Sequence, residues 1–493
     1  MQLYLAVEHV TVSFGDRQLF QIDDLMLYAG ERVGLVGANG AGKTTLLRLL
    51  AGEMPPDTGH VRRLCVPVYF RQFGGEAEAA SPAALRRFGV QEVAGRAQVS
   101  GGEDTRLRLA AVFSAERAFA LLDEPTGNLD AAGIAALEEK LRGLETFVLV
   151  SHDRDLLNRW CTRIWALEDG TVRDYPGNYD DYCAQKAQER QRAQAEYEQY
   201  VTERDRLRQV YAEKKAKARK IEKKPKNISR SDAKGREFSA FHRSIASKAQ
   251  MLERSAKNVE MRIQHMEVKE RPRELPRIRP DFRLTDPPQN KIILEAEHLD
   301  FAYPNGRVIF RDAAFRLPRG SRTALLGPNG VGKTTLLRLI EEGEQVRVVP
   351  KARLGFFRQD LSDLDAGKTV LQNVMNVSVQ REAVARTILA RLLFGPRDMG
   401  KPAGVLSGGE RIRLAFARLF VSAANVLILD EPTNYLDLPA IEALQQLFSE
   451  YEGTMLFVSH DAAFVRAVAT RRLVIEDEKI RTEEQENALS AEK

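Results

Sequence analysis

Apolar residues occur along the chain in short runs that are separated by polar turns and helical stretches. Two longer runs alternate apolar and polar positions, and four shorter runs are almost entirely apolar. In chain order they are LYLAVEHVTVSF (3–14), FALL (119–122), FVLV (147–150), IILEAEHLDFAY (292–303), NVLIL (425–429) and MLFV (455–458). Runs of this length predict strands, and their alternation with helical segments predicts an α/β core with mainly parallel strands.

The two halves of the chain repeat the same segments in the same order. VGLVGANGAGKTTLLRLLAGE (33–53) matches TALLGPNGVGKTTLLRLIEEG (323–343), and FALLDEPTGNLD (119–130) matches VLILDEPTNYLD (426–437). The remaining pairs are VYFRQFG (68–74) with GFFRQDL (355–361), VSGGEDTRLRLA (99–110) with LSGGERIRLAFA (406–417), and FVLVSHDRDLL (147–157) with LFVSHDAAFV (456–465). Such repetition predicts a duplicated domain.

The repeat divides the chain into three predicted domains, which are a first copy at 1–183, a linker at 184–290 and a second copy at 291–493. The two copies do not stay in step throughout. Their offset is 287 residues at Gln72 and Gln359 but 307 residues at Ser100 and Ser407, so the first copy is 20 residues shorter between these positions.

The linker pattern predicts two long helices. Residues 184–222 contain no proline or glycine and are rich in Ala, Glu, Gln, Lys and Arg, and turn residues follow at 223–235. Apolar residues then recur at heptad-like steps of three and four, at Phe238, Phe241, Ile245, Ala249, Leu252, Ala256, Val259, Ile263 and Met266. The first helix has a weaker stripe at Tyr197, Tyr200, Leu207 and Val210. We therefore expect an antiparallel coiled coil with its tip near 224–240.

Composition places the chain among globular proteins of a reducing compartment. Hydrophobic residues make up 43% of its 493 residues, and no apolar run approaches the ~18 residues that would cross a bilayer. The first residues lack the pattern of a signal peptide. Three widely spaced cysteines predict neither a disulfide framework nor a metal cluster. We expect a cytoplasmic protein with no membrane contact.

Charge is concentrated in one segment of the linker. The basic run Lys214–Arg236 holds eleven basic and two acidic residues, a net charge of +9, whereas the whole chain carries only +5. This asymmetry predicts a polyanionic partner, although a solvated charged surface would have the same composition.

Each copy contains a glycine-rich segment, GANGAGKT (37–44) and GPNGVGKT (327–334), between a predicted strand and a predicted helix. In this context the pattern predicts a loop that binds ATP phosphates, with Thr44 and Thr334 as Mg²⁺ ligands; the alternative is a glycine-rich turn. The predicted nucleotide-binding residues are Gly37, Ala38, Asn39, Gly40, Ala41, Gly42, Lys43, Thr44 and Thr45, and Gly327, Pro328, Asn329, Gly330, Val331, Gly332, Lys333, Thr334 and Thr335.

Adjacent carboxylates follow a predicted strand in each copy. Asp123 and Asp430 end apolar runs, where a carboxylate can hold Mg²⁺ through water. Glu124 and Glu431 come next and can polarise an attacking water molecule. A helix cap followed by a surface acid would also fit the pattern taken alone, but a phosphate loop upstream favours catalysis.

A histidine follows another predicted strand in each copy. His152 and His460 both lie in an SHD segment, and active-site groups collect at the strand ends of parallel sheets. A lone histidine is usually structural, but its repetition in the same context favours contact with the γ-phosphate.

Together, the phosphate loops, Gln72 and Gln359, the SGGE segments, the Asp-Glu pairs and the histidines resemble the ATP-binding-cassette ATPases. The resemblance implies two tandem P-loop domains in a head-to-tail sandwich, with each ATP between the phosphate loop of one copy and the SGGE segment of the other. It implies that Gln72 and Gln359 reach the metal and that Phe14 and Tyr303 stack on adenine. The implied capping residues are Ser100, Gly101, Gly102, Ser407, Gly408 and Gly409.

Both copies keep every catalytic group, so we expect two working sites. The first copy has PTGNLD where the second copy has PTNYLD, and it has Asp104 where the second copy has Arg411. These differences leave open whether the two sites turn over equally.

The fused copies without a membrane segment, and PTNYLD, resemble the F subfamily, in which a helical linker enters the tRNA exit site of the ribosome. This implies contact with ribosomal RNA and P-site tRNA through the basic run Lys214–Arg236, in a chain that works as a monomer. DNA is a rival polyanion, but related DNA-repair ATPases insert coils within a cassette. Three cysteines exclude the iron–sulfur ribosome-recycling subfamily.

Within the F subfamily, the shortened first copy and the long linker resemble the antibiotic-resistance branch, which displaces drugs from the peptidyl-transferase centre. An alternative is a housekeeping or stress factor that rescues stalled ribosomes. The ATPase subunit of a transporter is a third possibility, which leaves the basic run unexplained.

Overall fold

Most of both copies and most of the linker are described. The computed structural model describes residues 2–15, 17–71, 80–92, 99, 101–114, 117–127, 129, 131–222, 236–269, 280–328, 330–357, 361 and 363–484, with side chains at all of these except 17, 131, 222 and 236–246. Four of the predicted site residues lie outside these ranges, namely Gln72, Ser100, Asn329 and Gln359.

The first copy contains two sheets and the helices that flank them. Its elements are β1 (Leu3–Phe14), β2 (Arg17–Tyr28), β3 (Arg32–Gly37), α1 (Lys43–Ala51), β4 (Thr58–Arg63), β5 (Val68–Phe70), α2 (Pro82–Arg87), α3 (Gly101–Val112), β6 (Ala120–Asp123), α4 (Ala131–Gly143), β7 (Phe147–Val150), α5 (Arg154–Trp160), β8 (Arg163–Glu168) and β9 (Thr171–Pro176). The order β5-β6-β7-β3-β8-β9 forms one sheet, parallel except at β9, and β2-β1-β4 forms an antiparallel sheet.

Two long helices follow, α6 (Tyr179–Glu222) and α7 (Arg236–Gln264), as the linker pattern predicts. By its internal contacts the chain divides into two units, one comprising residues 1–182 with 275–493 and the other comprising 183–274. The predicted tip, near 224–240, lies outside the described side chains.

The second copy repeats the two-sheet arrangement. After a 3₁₀ turn at Phe282–Thr285, its elements are β10 (Ile292–Ala302), β11 (Val308–Pro318), β12 (Arg322–Leu326), α8 (Lys333–Glu342), β13 (Arg347–Val348), β14 (Leu354–Phe357), α9 (Val370–Met375), α10 (Glu382–Arg391), α11 (Gly408–Val421), β15 (Val426–Asp430), α12 (Leu438–Ser449), β16 (Thr454–Val458), α13 (Ala462–Val468), β17 (Arg471–Glu476) and β18 (Lys479–Glu484). The order β14-β15-β16-β12-β17-β18 matches that of the first copy, and β11-β10-β13 forms the antiparallel sheet.

The 20-residue difference between the copies falls in their helical regions. Between β14 and α11 the second copy has α9 and α10, whose buried residues include Val370, Val374 and Ile388. Between β5 and α3 the described residues of the first copy contain one helix, α2. In this region the second copy thus has one α-helix more than the described residues of the first copy.

The apolar runs are strands because both faces of each parallel sheet are covered. All four residues of β6 and all four of β7 are buried. On one face of the first sheet lies α1, which buries four leucines, at positions 46, 47, 49 and 50. Full burial of a leucine side chain is worth roughly 1.5–3 kcal/mol, so this helix is held firmly beneath the phosphate loop.

The linker helices run antiparallel, as predicted. Lys269 lies 3.5 Å from Glu196, and Lys214 Nζ donates to Ser255 Oγ at 2.6 Å, so that later residues of α6 meet earlier residues of α7. On α7, Ala249 and Ala256 of the predicted stripe are buried. No helix among the described residues has both the length and the apolarity that crossing a bilayer demands.

The seam of α6 includes the predicted stripe and extends beyond it, because Tyr197, Tyr200, Leu207 and Val210 are all half-buried or buried. Half-buried and buried positions recur at steps of three and four along Tyr200, Arg204, Leu207, Tyr211, Lys214, Ala218 and Ile221. The predicted stripe left out the polar members Arg204, Tyr211 and Lys214, because long polar side chains can bury their stems while keeping their ends hydrogen-bonded.

Candidate active site

Each phosphate loop joins a central strand to a helix. In the first copy β3 ends at Gly37 and α1 begins at Lys43, and in the second copy β12 leads to α8, which begins at Lys333. Gly42 has φ 109°, and a Cβ there would lie 2.8 Å from the Leu19 side chain. Gly332 has φ 115°, and a Cβ there would lie 2.3 Å from the Ile309 side chain. Only glycine fits this turn, which leaves backbone N–H groups open at a helix start.

The loop lysines lie over their own loops. Lys43 Nζ donates to the carbonyls of Gly37 at 2.8 Å and Ala38 at 3.1 Å. The lysine of the second copy donates to the equivalent carbonyls, at 2.8 Å and 3.0 Å. Burial lowers the pKa of Lys43, while neighbouring carboxylates led by that of Glu124 oppose this effect. Each ammonium group therefore lies where phosphate oxygens would approach.

The two aspartates lie at the ends of β6 and β15, against the first residues of the loop helices. Thr334 Oγ1 donates to Asp430 Oδ2 at 3.1 Å. Burial raises the pKa of Asp123, and a hydrogen bond from Thr44 opposes that rise. Asp123 Oδ2 is buried and has no hydrogen-bond partner among the described residues. The structure thus brings each predicted pair of metal-binding residues together.

The glutamates and histidines form matching pairs in the two copies. Glu124 Oε1 lies 3.2 Å from His152 Nε2, and Glu431 Oε1 lies 3.2 Å from His460 Nε2. In each pair the histidine backbone N–H donates to the other glutamate oxygen, also at 3.2 Å. Burial raises the pKa of each glutamate to about 7 and lowers the pKa of His152 to about 4. Each pair is therefore a buried carboxyl group that accepts from the histidine backbone N–H and lies beside a neutral imidazole.

The residues present fit a magnesium–nucleotide complex. The buried Asp123 Oδ2 and the Oε1 atoms of both glutamates lack hydrogen-bond partners among the described residues. Hydroxyl and carboxylate oxygens are the ligands that Mg²⁺ prefers. Thr44 with Asp123, and Thr334 with Asp430, are the pairs that could hold the ion.

A side chain of the second copy reaches the phosphate loop of the first. The backbone N–H of Asn39 donates to Asp437 Oδ2 at 2.7 Å, and Asn39 Nδ2 approaches the Tyr435 carbonyl oxygen at 3.4 Å. A Cβ built on Gly409 would lie 3.5 Å from Asn39 Nδ2, so the SGGE segment of the second copy lies beside this loop. This arrangement agrees with the head-to-tail sandwich that the resemblance implies.

The other residues that the resemblance implies to cover the nucleotide lie at the starts of helices. Ser407 caps α11 and shares a capping box with Glu410, and Gly408 is the first residue of that helix. Gly101 and Gly102 open α3 in the first copy. Their neighbour Ser100, together with Asn329 of the second loop, lies outside the described residues. The contact between the SGGE segment of the first copy and the phosphate loop of the second copy therefore stays a prediction.

The two aromatic residues predicted to stack on adenine lie in different surroundings. Phe14 ends β1 and is 58% exposed. Tyr303 is half-buried, and its hydroxyl lies 2.8 Å from Thr335 Oγ1, which fixes the ring beside α8. Stacking on adenine stays a prediction for both.

The sites differ in how open they are. The side chain of His152 is 26% exposed, whereas that of His460 is 52% exposed. Asp437, which lies at the first site, was missed by the sequence analysis as a site residue. Its signal was the PTNYLD segment, which served there only to support the family resemblance.

Comparisons with known proteins agree with this geometry. The family model described as ABC transporter matches residues 20–80 and 310–434. The chain is 34% identical to the erythromycin resistance ATP-binding protein MsrA of Staphylococcus epidermidis, over 94% of this chain and 98% of that protein. It is 31% identical to the ribosome protection protein VmlR of Bacillus subtilis strain 168, over 96% of this chain and 87% of that protein.

A solved structure shares the fold. The RNase-L Inhibitor superposes with a TM-score of 0.63 and 19% identity, over 96% of this chain and 90% of that chain. At this identity the similarity concerns the fold alone. Together with the duplicated loops, the paired carboxylates and the two helices between the copies, the two sequence relatives show that this chain is an ATPase of the F subfamily of ATP-binding-cassette proteins.

Proposed function

We propose that this ATPase binds the ribosome at the tRNA exit site and uses its linker tip to displace drugs from the peptidyl-transferase centre. The observation that carries the proposal is the pair of long linker helices, whose charge becomes strongly basic toward their far ends. Such a segment can reach into a cleft lined by RNA while the cassettes remain outside it. A ribosomal site also implies a monomer that works in the cytoplasm.

The described part of the basic run supports contact with phosphates. Lys217, Arg219 and Lys220 are exposed near the end of α6, and Lys248 and Arg254 are exposed on α7. Exposed Lys and Arg side chains neutralise RNA phosphates and make binding sensitive to salt. Lys214 differs, since its bond to Ser255 joins the two helices. The rest of the run, from residue 223 to 235, lies outside the described residues.

ATP with Mg²⁺ is the proposed ligand of both sites. The loop amides and the lysines Lys43 and Lys333 would bind the phosphates, and bound Mg²⁺ would neutralise the charge that develops there. Glu124 and Glu431 are positioned to take a proton from water. Each is held by the N–H of the histidine that follows the neighbouring strand.

The names of the relatives favour resistance over a housekeeping role. MsrA is named for erythromycin resistance and VmlR for ribosome protection, and this chain aligns with almost the full length of the first. The segment between the glutamine and the SGGE motif is 20 residues shorter in the first cassette, and its described residues between β5 and α3 form one helix, α2.

Expression in a drug-sensitive bacterium tests the proposal. Inhibitory concentrations would be measured for pleuromutilins, lincosamides and streptogramin A, with an inactive drug class as a control. We expect them to rise with this chain and not with its Glu124→Gln, Glu431→Gln variant. Ribosome co-sedimentation without any change in susceptibility would favour the translation-factor alternative. Absence of ribosome binding would reject both.

A further inference from the structure

Tyr69 carries a buried hydroxyl that the chemistry described above does not use. It lies on β5 in register with Leu121 of β6, so Asp123, two residues further along β6, points to the same face of the sheet. That face packs on α1, because Leu46 and Leu47 belong to the same apolar cluster as Leu121 and Tyr69. The phenol therefore shares a face with the proposed metal-binding carboxylate.

Two buried oxygens on this side of the sheet lack hydrogen-bond partners among the described residues. They are the Tyr69 hydroxyl oxygen and Asp123 Oδ2. One is a donor that keeps its proton, because burial raises the pKa of the tyrosine and the charge of Asp123 raises it further. The other is an acceptor. Buried polar atoms normally have partners, so an unsatisfied donor and acceptor on one face suggest a site completed by a ligand.

The ring of Tyr69 is held by its neighbours. The guanidinium carbon of Arg71 lies 5.8 Å from the ring centroid, and Arg71 forms an ion pair with Glu53 just beyond the end of α1. Such a cation–π contact favours one ring position. The hydroxyl is therefore oriented before any nucleotide arrives.

The second cassette lacks this hydroxyl. Phe356 occupies the equivalent place on β14. It is in register with Ile428 of β15, and Asp430 lies two residues after Ile428 on that strand. In both cassettes the aspartate accepts a hydrogen bond from the threonine at the start of the loop helix, Thr44 for Asp123 and Thr334 for Asp430. No buried oxygen of Asp430 lacks a partner among the described residues. The two sites thus differ in one donor, and the chain offers its own comparison.

We propose that Tyr69 is a positioning residue of the first ATP site. Once Mg²⁺ and nucleotide are bound, its hydroxyl donates to Asp123 Oδ2, directly or through one water molecule, and fixes the carboxylate in the orientation that holds the metal. The inference rests on the proposed Mg–ATP site and is independent of the ribosomal role.

The test isolates the first site. In the full chain carrying Lys333→Ala, which disables the second loop, the Mg²⁺ concentration for half-maximal binding of adenylyl-imidodiphosphate is measured with and without Tyr69→Phe. We expect Tyr69→Phe to raise it ~10-fold, the usual effect of losing one hydrogen bond to a charged group. The thermal midpoint of the nucleotide-free chain should stay the same or rise, because a buried hydroxyl without a partner is removed.

Two results would overturn the proposal. One is an unchanged Mg²⁺ requirement in the Tyr69→Phe chain. The other is a lower nucleotide-free midpoint, because that would mean the hydroxyl already stabilises the empty protein. If the analogue fails to bind even when Tyr69 is present, the fault lies with the proposed ATP site and not with the tyrosine.

The matched control uses the second site. In a chain carrying Lys43→Ala, Phe356→Tyr should change the Mg²⁺ requirement less than twofold, since no buried oxygen of Asp430 lacks a partner among the described residues. A ~10-fold weakening there would show that any substitution on this strand disturbs the site, and the hydrogen-bond explanation would then be wrong.

Discussion

The backbone N–H of Asn39 donates a hydrogen bond to Asp437 Oδ2 at 2.7 Å, across the two cassettes. Asn39 belongs to the phosphate loop of the first cassette, whereas Asp437 caps α12 of the second and accepts from the Ala440 N–H at 3.0 Å. One carboxylate therefore holds both a loop amide and a helix start. We therefore expect nucleotide at the first site to be coupled to the position of α12.

Removing that carboxylate should weaken ATP binding more than it weakens folding. Asp437→Ala deletes a helix cap, at about 1 kcal/mol, and also the bond to Asn39. We expect reduced ATP affinity and a lower ATPase rate. Thr369→Ala is the matched control, because Thr369 caps α9 with a similar bond and touches neither loop. Equal ATP affinity in the two variants would contradict the coupling.

The paired glutamates should control hydrolysis and not binding. Changing both Glu124 and Glu431 to Gln keeps their size and their bonds to the histidine N–H groups but removes the base. We expect turnover to fall by roughly 10²- to 10⁴-fold with ATP affinity retained. Steady-state hydrolysis and equilibrium nucleotide binding would be compared on the same preparation. Turnover at the unmodified rate would reject the assignment of these residues as the base.

Helix α12 also contacts the start of α6. The Tyr179 hydroxyl donates to Glu442 Oε1 at 2.8 Å, and Tyr179 is almost fully buried. Tyr179→Phe should lower the free energy of unfolding by roughly 1–3 kcal/mol, the usual contribution of a hydrogen bond to a charged group. A double-mutant cycle with Glu442→Gln, followed by thermal unfolding, should give coupling above about 0.5 kcal/mol. Additive effects would mean that this bond contributes little.

Exposed basic residues near the end of α6 should set the salt dependence of ribosome binding. Replacing Lys217, Arg219 and Lys220 with Gln should reduce the slope of log affinity against log salt by up to roughly 3, about one for each phosphate that is no longer neutralised. Arg190→Gln with Arg192→Gln is the control, because these exposed residues lie about seven helical turns before Lys217. An equal change of slope in the two variants would mean that ribosome binding depends on the total charge of the linker and not on its position.

The tip should decide drug protection. Replacing residues 227–237 with a short Gly-Ser turn should leave ATPase activity intact and most ribosome affinity in place while abolishing resistance, because a shorter hairpin no longer reaches the drug site. Ile228→Ala should shift which drugs are resisted. Susceptibility and co-sedimentation would be measured for each variant. Full resistance in the shortened protein would refute displacement by the tip.

Several features followed from the sequence because they depend on neighbours along the chain. A glycine loop between a strand and a helix needs only a few consecutive residues, and Gly42 and Gly332 adopt the left-handed turn that no side chain would allow. The order of the motifs repeats, so the duplicated sheets could be predicted as well. The long proline-free run likewise became one helix, α6.

Other features required the tertiary structure because the interacting residues lie far apart in the sequence. Asp437 reaches Asn39 from 398 positions away, and no local pattern marks it as a neighbour of that loop. Lys214 read as one more charge in a basic run, but antiparallel packing places it against Ser255. The register of β5 on β6 gives Tyr69 its position relative to Asp123, which a three-residue strand cannot specify alone. Local chemistry thus fixed the motifs, and long-range packing decided which side chains meet.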